Sequence, residues 1–327
     1  MGLDWRLDLI STASQRIFTI LALAGLAAAA AACSQSQPQS GGPAGTAAGG
    51  KTIGVSIQDL QAQFYEDLKA GMQAEAVKDG YTVDFVDANR DAARQQSQVE
   101  DFISKKVDAI VLTPADSKAV GPAIVEANQA HIPVFTADIA SSASTGTVIA
   151  HIASDNVQGG AVAADLMCKA LGGKGTGAII DQPEVTSVQD RVRGFKTELA
   201  AKCPGVSVVA DQDAGGDRAK AEGVVDDLLQ RLTDLSGIFG INDDSALGAV
   251  ASVKAAGKIG KIKIVGYDAS PEGRKAIDAG EMVGDPQQHP DVIGQLTIDA
   301  IHDYFNGTKP KKVIHVQVGS YTGPPKP

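Results

Sequence analysis

Residues 109–138 read AIVLTPADSKAVGPAIVEANQAHIPVFTAD. The opening run 109–112 is apolar at every position instead of every second one, the pattern of a strand buried on both faces. Thr113, Pro114, Asp116 and Ser117 then supply turn chemistry, and 117–130 carries a helical pattern that ends before a second apolar run, 134–136. A strand, a helix and a strand in this order make a parallel pair with a crossover helix. Outward from this unit the same alternation continues. Strands are predicted at 52–57, 82–86, 109–112, 134–136, 177–180, 206–209, 237–241 and 262–265, with helical stretches at 64–78, 92–105, 117–130, 188–201 and 218–232. The expected fold class is α/β, with doubly wound parallel sheets.

A chain of 327 residues has room for two cores. A faint duplication supports this. Ser117 opens a helix whose following strand ends at Asp138, and Ser245 opens one whose following strand ends at Asp268. Residues 141–156 interrupt the alternation and are the expected place of a first crossing between halves. With 43% hydrophobic and 21% charged residues the composition is that of a globular body, neither disordered nor multispan. A net charge of -10 argues against nucleic-acid partners, which are bound through Lys and Arg.

At the N-terminus, 17–32 is apolar except for Thr19 and Gly25 and ends in small residues before Cys33. This is the layout of a secretory signal peptide, 1–32, and it is shorter than a membrane-spanning helix requires. The segment Ala30, Ala31, Ala32, Cys33 resembles a bacterial lipobox, which implies lipidation of Cys33; ordinary cleavage near Ala32 is the other reading. Residues 33–50, rich in Gly, Ser and Gln, form a flexible tether. The expected location is therefore the periplasm or the outer face of a bacterial membrane. In such an oxidising compartment Cys168 and Cys203 can pair; two buried, unpaired thiols are the alternative.

Ligands of open parallel sheets bind beyond the carboxyl ends of the strands, where helix N-termini also point. In this chain those positions hold Gln58 and Asp59, Asp87 and Asn89, Thr113 and Asp116, Asp138, Asp181 and Gln182, Asn242 and Asp243, and Asp268. Some serve as helix N-caps, with Asp116 or Ser117 and Asp243 or Asp244 the expected ones. Asp138, Asn242 and Asp268 each end an apolar strand directly. Carboxylates and amides in this number suit a polyhydroxyl ligand, whose hydroxyls both donate and accept. Phe64 and Tyr65, just after the first strand, offer aromatic faces to a sugar.

HExxH and GxSxG are missing from the sequence, and the one GxxxxGK[ST] match, GTAAGGKT at 45–52, leads into the first predicted strand instead of joining a strand to a helix, so it is not a phosphate-cradling loop. The glycine cluster 172–177, GGKGTG, follows a helix and precedes a strand, the wrong end of a βαβ unit for a dinucleotide, and is read as a loop. His131, His151, His289, His302 and His315 lack metal-ligand spacing. No catalytic residue, metal or cofactor is expected.

Four motifs, HIASDN (151–156) with Gly159 and Gly160, RVRGF (191–195), INDDSALG (241–248) and VGYDASPEG (265–273), resemble those of the ribose-type periplasmic sugar-binding proteins, the type I substrate-binding subunits of ABC importers. The resemblance covers residues from Lys51 to about Val318. It implies two doubly wound lobes joined by a three-strand hinge, 51–154 plus 289–315 and 155–288 plus 316–324, with the ligand between them. It implies ligand contacts at Phe64, Tyr65, Asp138, Arg191, Asn242, Asp268 and Gln288, to which the strand-end reading adds Gln58 and Asp59. Arg191 and Gln288 enter only through the resemblance.

The chain also departs from the ribose pattern. Gln58 stands where a small hydroxyl residue is expected, Ala62 in place of an Asn, Ile139 in place of an Arg, and Gly216 in place of an aromatic. The pair Asp59 and Leu60 is similar to one in xylose-type binders. The expected ligand is a pentose, inositol or other small polyol in place of ribose itself. The expected function is the binding component of an ABC importer, acting as a monomer with permease and ATPase subunits and not as an enzyme. A receptor subunit for a membrane sensor and a glycoside hydrolase are the alternatives; a DNA-binding regulator of the same fold needs a helical headpiece, whereas 1–50 read as a signal plus tether.

Overall fold

The computed structural model describes residues 50–324. The signal peptide, Cys33 and all but the last residue of the tether lie outside the described residues.

The chain begins with β1 (Thr52–Ile57), α1 (Gln63–Lys78), β2 (Thr82–Asp87), α2 (Ala92–Lys105), β3 (Ala109–Leu112), α3 (Gly121–Gln129), β4 (Val134–Ala137) and β5 (Val148–Ser154). It continues with α4 (Asn156–Leu171), β6 (Lys174–Asp181), α5 (Thr186–Lys202), β7 (Gly205–Asp213), α6 (Arg218–Arg231), β8 (Leu235–Gly240), α7 (Asp243–Ala255), β9 (Lys263–Val265), α8 (Pro271–Asp278) and β10 (Asp285–Gln287). Three elements close it: α9 (Pro290–Phe305), β11 (Val313–Val316) and β12 (Gly319–Tyr321).

Two parallel sheets result, with orders β2-β1-β3-β4-β5-β11 and β7-β6-β8-β9. The second repeats the order of the first four strands of the first sheet, so the sequence duplication corresponds to a repeated topology. Each sheet is doubly wound and reverses its winding beside its first strand, between β1 and β3 and between β6 and β8. The apolar runs explain why. In β3, Ala109 and Val111 pack into the layer under α1 and α9, while Ile110 and Leu112 pack into the layer that holds Phe102 and Ile124. In β6, Ala178 and Ile180 face one layer and Ile179 the other. Both sheets are thus buried on both faces.

The chain leaves the first sheet after Ser154, returns to it through α9 and β11, and leaves again after Val316. These passages are tied together: Asp155 N–H donates to Val316 O at 2.9 Å, and Gln158 bonds Val318 in both directions at 2.9 and 3.0 Å. β10 and β12 form a small antiparallel pair beside them.

Several expectations change. The crossing lies at the end of 141–156, because the second half of that stretch is β5. The glycine cluster is only partly a loop: Gly172 and Gly173 turn with φ of 64° and 82°, whereas Lys174 to Gly177 already pair in β6. Helix α3 starts at Gly121, since Asp116 Oδ1 takes the N–H groups of Lys118 and Ala119 at 2.7 Å and holds the preceding residues in a turn. The cysteines, in contrast, follow the first of their two readings: Cys168 at the end of α4 and Cys203 after α5 stand at bonding distance, Sγ–Sγ 2.14 Å with Cα atoms 6.0 Å apart.

Candidate ligand-binding cleft

The carboxyl ends of the two sheets face one cavity of about 180 Å³. From the first sheet come Gln58 after β1, Phe64 and Tyr65 in the first turn of α1, and Asp138 after β4; from the second come Arg191 on α5, Asn242 after β8, and Asp268 after β9, with Gln288 on the passage after β10. Helix α1 begins at the cavity with no side-chain cap on its N-terminus, so free backbone N–H groups and the positive end of the helix dipole point toward it. Loops from the two sheets touch: Thr186 N–H donates to Ser117 Oγ at 3.0 Å, Ser117 N–H to Glu184 O at 3.1 Å and Ala140 N–H to Thr186 Oγ1 at 3.0 Å. The structure is therefore a closed one.

Around Asp138 the polar groups are fixed from outside the cavity. Asp138 holds a left-handed backbone, φ 62°, at the end of its strand. Its Oδ2 lies 3.1 Å from the Tyr65 hydroxyl, which also lies 2.8 Å from Gln58 Oε1; its Oδ1 is buried and has no partner. Gln58 is itself held by a bond from its N–H to Thr113 Oγ1 at 2.5 Å. Burial raises the Asp138 pKa, against the pull of Arg191. The same burial, reinforced by Asp138, pushes the Tyr65 phenol well above its ordinary value and keeps it a donor.

On the opposite wall Asp268, with φ 112°, accepts Gln288 Nε2 at 2.7 Å, while Gln288 Oε1 is buried without a partner. Burial pushes the Asp268 carboxyl well up, and Arg191 again opposes it. Arg191 donates through Nε to Asn156 Oδ1 at 2.8 Å and through Nη1 to Ile241 O at 2.9 Å, and its guanidinium lies 4.0 Å over the Tyr267 ring. This close seating depends on Gly159 and Gly160 of α4. A methyl at 159 would overlap the Tyr267 hydroxyl and one at 160 the Arg191 backbone carbonyl.

Asn242 lines the cavity and also caps α7: Oδ1 accepts Ser245 N–H at 2.8 Å and Nδ2 donates to Gly216 O at 3.0 Å. The capping expected of Asp243 or Asp244 thus falls to their neighbour. Asp243 instead is buried beside Asp285. The two carboxyls interact directly, and burial pushes Asp285 up to about 7 and Asp243 well above its ordinary value. Among the residues expected at the site, Asp59 does not line the cavity. Its Oδ2 accepts Arg90 Nε–H at 2.8 Å and lies at ion-pair distance, 2.8 Å, from Nη2, so the side chain is spent on that pair.

Sequence reasoning missed Arg90, which lines the cavity, and the supporting residues Asn156, Tyr267 and Asp285. Asn156 and Tyr267 lie within the quoted motifs; Arg90 follows the strand-end pair Asp87 and Asn89 and carried no signal of its own. The departures also take shape. Ile139 is buried in the apolar cluster of Val185, Val188 and Tyr267, so it meets the second sheet's core in place of a polar contact.

Residues 53–309 match the profile of the family described as periplasmic binding protein domain. The chain belongs to that family. This periplasmic binding protein domain is 36% identical over 287 residues to the ribose import binding protein of Bacillus subtilis, covering 86% of this chain and 91% of that protein. It is 30% identical to the xylitol-binding protein of Mycolicibacterium smegmatis, over 73% of this chain and 68% of that one. Among solved structures, an ABC transporter solute binding protein from Agrobacterium vitis bound with α-D-tagatopyranose matches with a TM-score of 0.79 and 29% identity, covering 83% of this chain and 94% of that chain. The two parallel sheets are the fold of this family of binding proteins.

Proposed function

We propose that the protein is the substrate-binding component of an ABC importer and captures a small sugar or polyol between two lobes, 51–154 plus 289–315 and 155–288 plus 316–324. The observation that carries this reading is the pair of carboxyls, Asp138 and Asp268, on opposite walls of one cavity with Arg191 acting on both, and with buried acceptor oxygens on Asp138 and Gln288 that have no donor. An unmatched buried acceptor costs about 1–3 kcal/mol, and a hydrogen bond to a charged group contributes about 1.5–3 kcal/mol. A ligand carrying several hydroxyls supplies the missing donors, and Phe64 and Tyr65 flank it with apolar faces. A few such bonds, after the entropy costs, suffice for micromolar binding at about -8.2 kcal/mol. Because the ligand touches both walls, it binds the closed state more tightly than the open one and thereby drives closure about the three passages.

The binding site residues in this reading are Gln58, Phe64, Tyr65, Asp138, Arg191, Asn242, Asp268 and Gln288, with Asp59 acting through Arg90. The relatives bind ribose, xylitol and tagatopyranose by name, so a polyhydroxyl ligand of this size is the class proposed. Ala62 and Ile139 put methyl groups where ribose binders are expected to hold polar ones, which favours a pentose, inositol or related polyol over ribose. The protein works as an exported monomer, anchored through Cys33 and tethered by 34–50, and hands its ligand to a permease driven by an ATPase without chemical change.

A thermal-shift screen of D-ribose, D-xylose, xylitol, myo-inositol and D-tagatose tests the reading. Ligand at a hundredfold excess over Kd adds about 2.7 kcal/mol to stability. One compound class raises Tm and is recovered intact; no shift with any of them, or turnover of the compound, contradicts the proposal.

A further inference from the structure

Arg90 bridges the two sides of the cleft. It sits in the loop between β2 and α2, and its counterpart across the mouth is Gly215, in the loop between β7 and α6; these loops occupy equivalent places in the two repeated topologies. Arg90 Nη1 donates to Gly215 O, while Nε and Nη2 both reach Asp59 Oδ2 at 2.8 Å. The backbone is built to present this side chain. Asn89 and Arg90 are consecutive non-glycine residues in the left-handed region, φ 52° and 59°, a conformation that costs free energy and is kept only where the surroundings impose it. Arg90 N–H donates to Gln58 O at 2.7 Å, which ties the loop to the end of β1, and Asp59 Oδ1 is fixed by Gln61 N–H at 2.9 Å.

The far side is shaped to receive it. Gly215 and Gly216 are both left-handed, φ 60° and 64°, and a methyl at 216 would sit 3.3 Å from Arg90 Nη1 and 2.6 Å from Gln182 Oε1. The missing side chain therefore leaves the space into which the guanidinium extends. Of a guanidinium's five N–H groups, Asp59 takes that of Nε and Gly215 one of Nη1. Three carry no hydrogen bond among the described residues, on a group that lines the ligand cavity.

We propose that Arg90 is a closure-dependent specificity residue: pinned on Asp59, it clasps the Gly215 carbonyl when the cleft shuts and offers its remaining N–H groups to a ligand oxygen at the mouth. This rests on the reading of the cavity as a polyol site. Because Gly215 belongs to the opposite wall, the clasp forms after encounter and holds the ligand in; it governs escape, not capture.

The test is binding kinetics by stopped flow or surface plasmon resonance, using whichever compound of the five-member panel gives the largest thermal shift with the wild-type protein. Arg90→Ala is expected to raise the dissociation rate at least tenfold and to change the association rate less than threefold. Asp59→Asn is expected to raise the dissociation rate less, and to add less than twofold in the Arg90→Ala background, because both changes break one unit. Wild-type binding with the same dissociation rate in Arg90→Ala overturns the clasp alone, as do fully additive effects of the two substitutions. Failure of the wild-type protein to bind any panel member removes the polyol reading and the clasp with it.

Discussion

Arg191 stacks on Tyr267, its guanidinium 4.0 Å from the ring centroid, and both side chains share Asn156 Oδ1, from Arg191 Nε at 2.8 Å and from the Tyr267 hydroxyl at 3.4 Å. The stack fixes a positive charge that acts on both Asp138 and Asp268. A flat fork held by an aromatic face and two acceptors cannot be replaced by an ammonium on a flexible stem.

Arg191→Lys is therefore expected to weaken ligand binding at least thirtyfold in calorimetry while the protein stays folded. Tyr267→Leu keeps the charge and loses the stack, which contributes about 0.5–2 kcal/mol, so affinity falls roughly 2–30-fold. An unchanged affinity in Arg191→Lys would show that the guanidinium geometry is irrelevant to the ligand.

Asp285 gives a pH dependence with a definite sign. Its folded-state pKa is raised to about 7 from an ordinary 3.8, chiefly by burial, with Asp268 adding to the rise. Between these values the folded protein binds more protons than the unfolded chain, so this group's contribution to stability falls as pH rises from about 4 to 7, and its cost is complete above 7. Asp285→Asn removes that cost. The variant should gain stability relative to wild type at pH 8 and lose the advantage at pH 4. Denaturant melts at the two pH values measure the difference; a pH-independent difference would contradict the assignment.

Cys168 and Cys203 are 35 positions apart. A cross-link closing a loop of that size stabilises by roughly 3–4 kcal/mol in the chain-entropy account. Reduction, or the paired change Cys168→Ala with Cys203→Ala, should lower the denaturant midpoint accordingly without altering ligand affinity, because the bridge joins the ends of α4 and α5 away from the cleft. A midpoint insensitive to reductant would mean that the thiols are not joined in solution.

Much of this architecture was legible in the residues because a sheet covered on both faces writes itself as uninterrupted apolar runs. The 109–112 run is the plainest case, and parallel topology then carries Asp138, Asn242 and Asp268 to one edge, where the cleft forms. β5 escaped notice because it is half-buried along its first turns and carries His151; β10 is three residues long with a central proline and β11 and β12 lie largely exposed. Strand-end position also says where a side chain is, not what holds it. Asp59 occupies such a position and is consumed by Arg90, whose own role depends on a glycine 125 positions away. Arg191 was visible only through resemblance, since a helix of mixed charge gives no sign of which arginine turns inward.

Isothermal titration calorimetry with the best compound of the panel tests the central claim most directly. The account predicts one ligand per chain with a Kd near or below micromolar, and no measurable binding in the Asp138→Ala, Asp268→Ala double variant with its fold preserved by circular dichroism. Absence of heat with every sugar and polyol, or stoichiometric binding retained in the double variant, would contradict it.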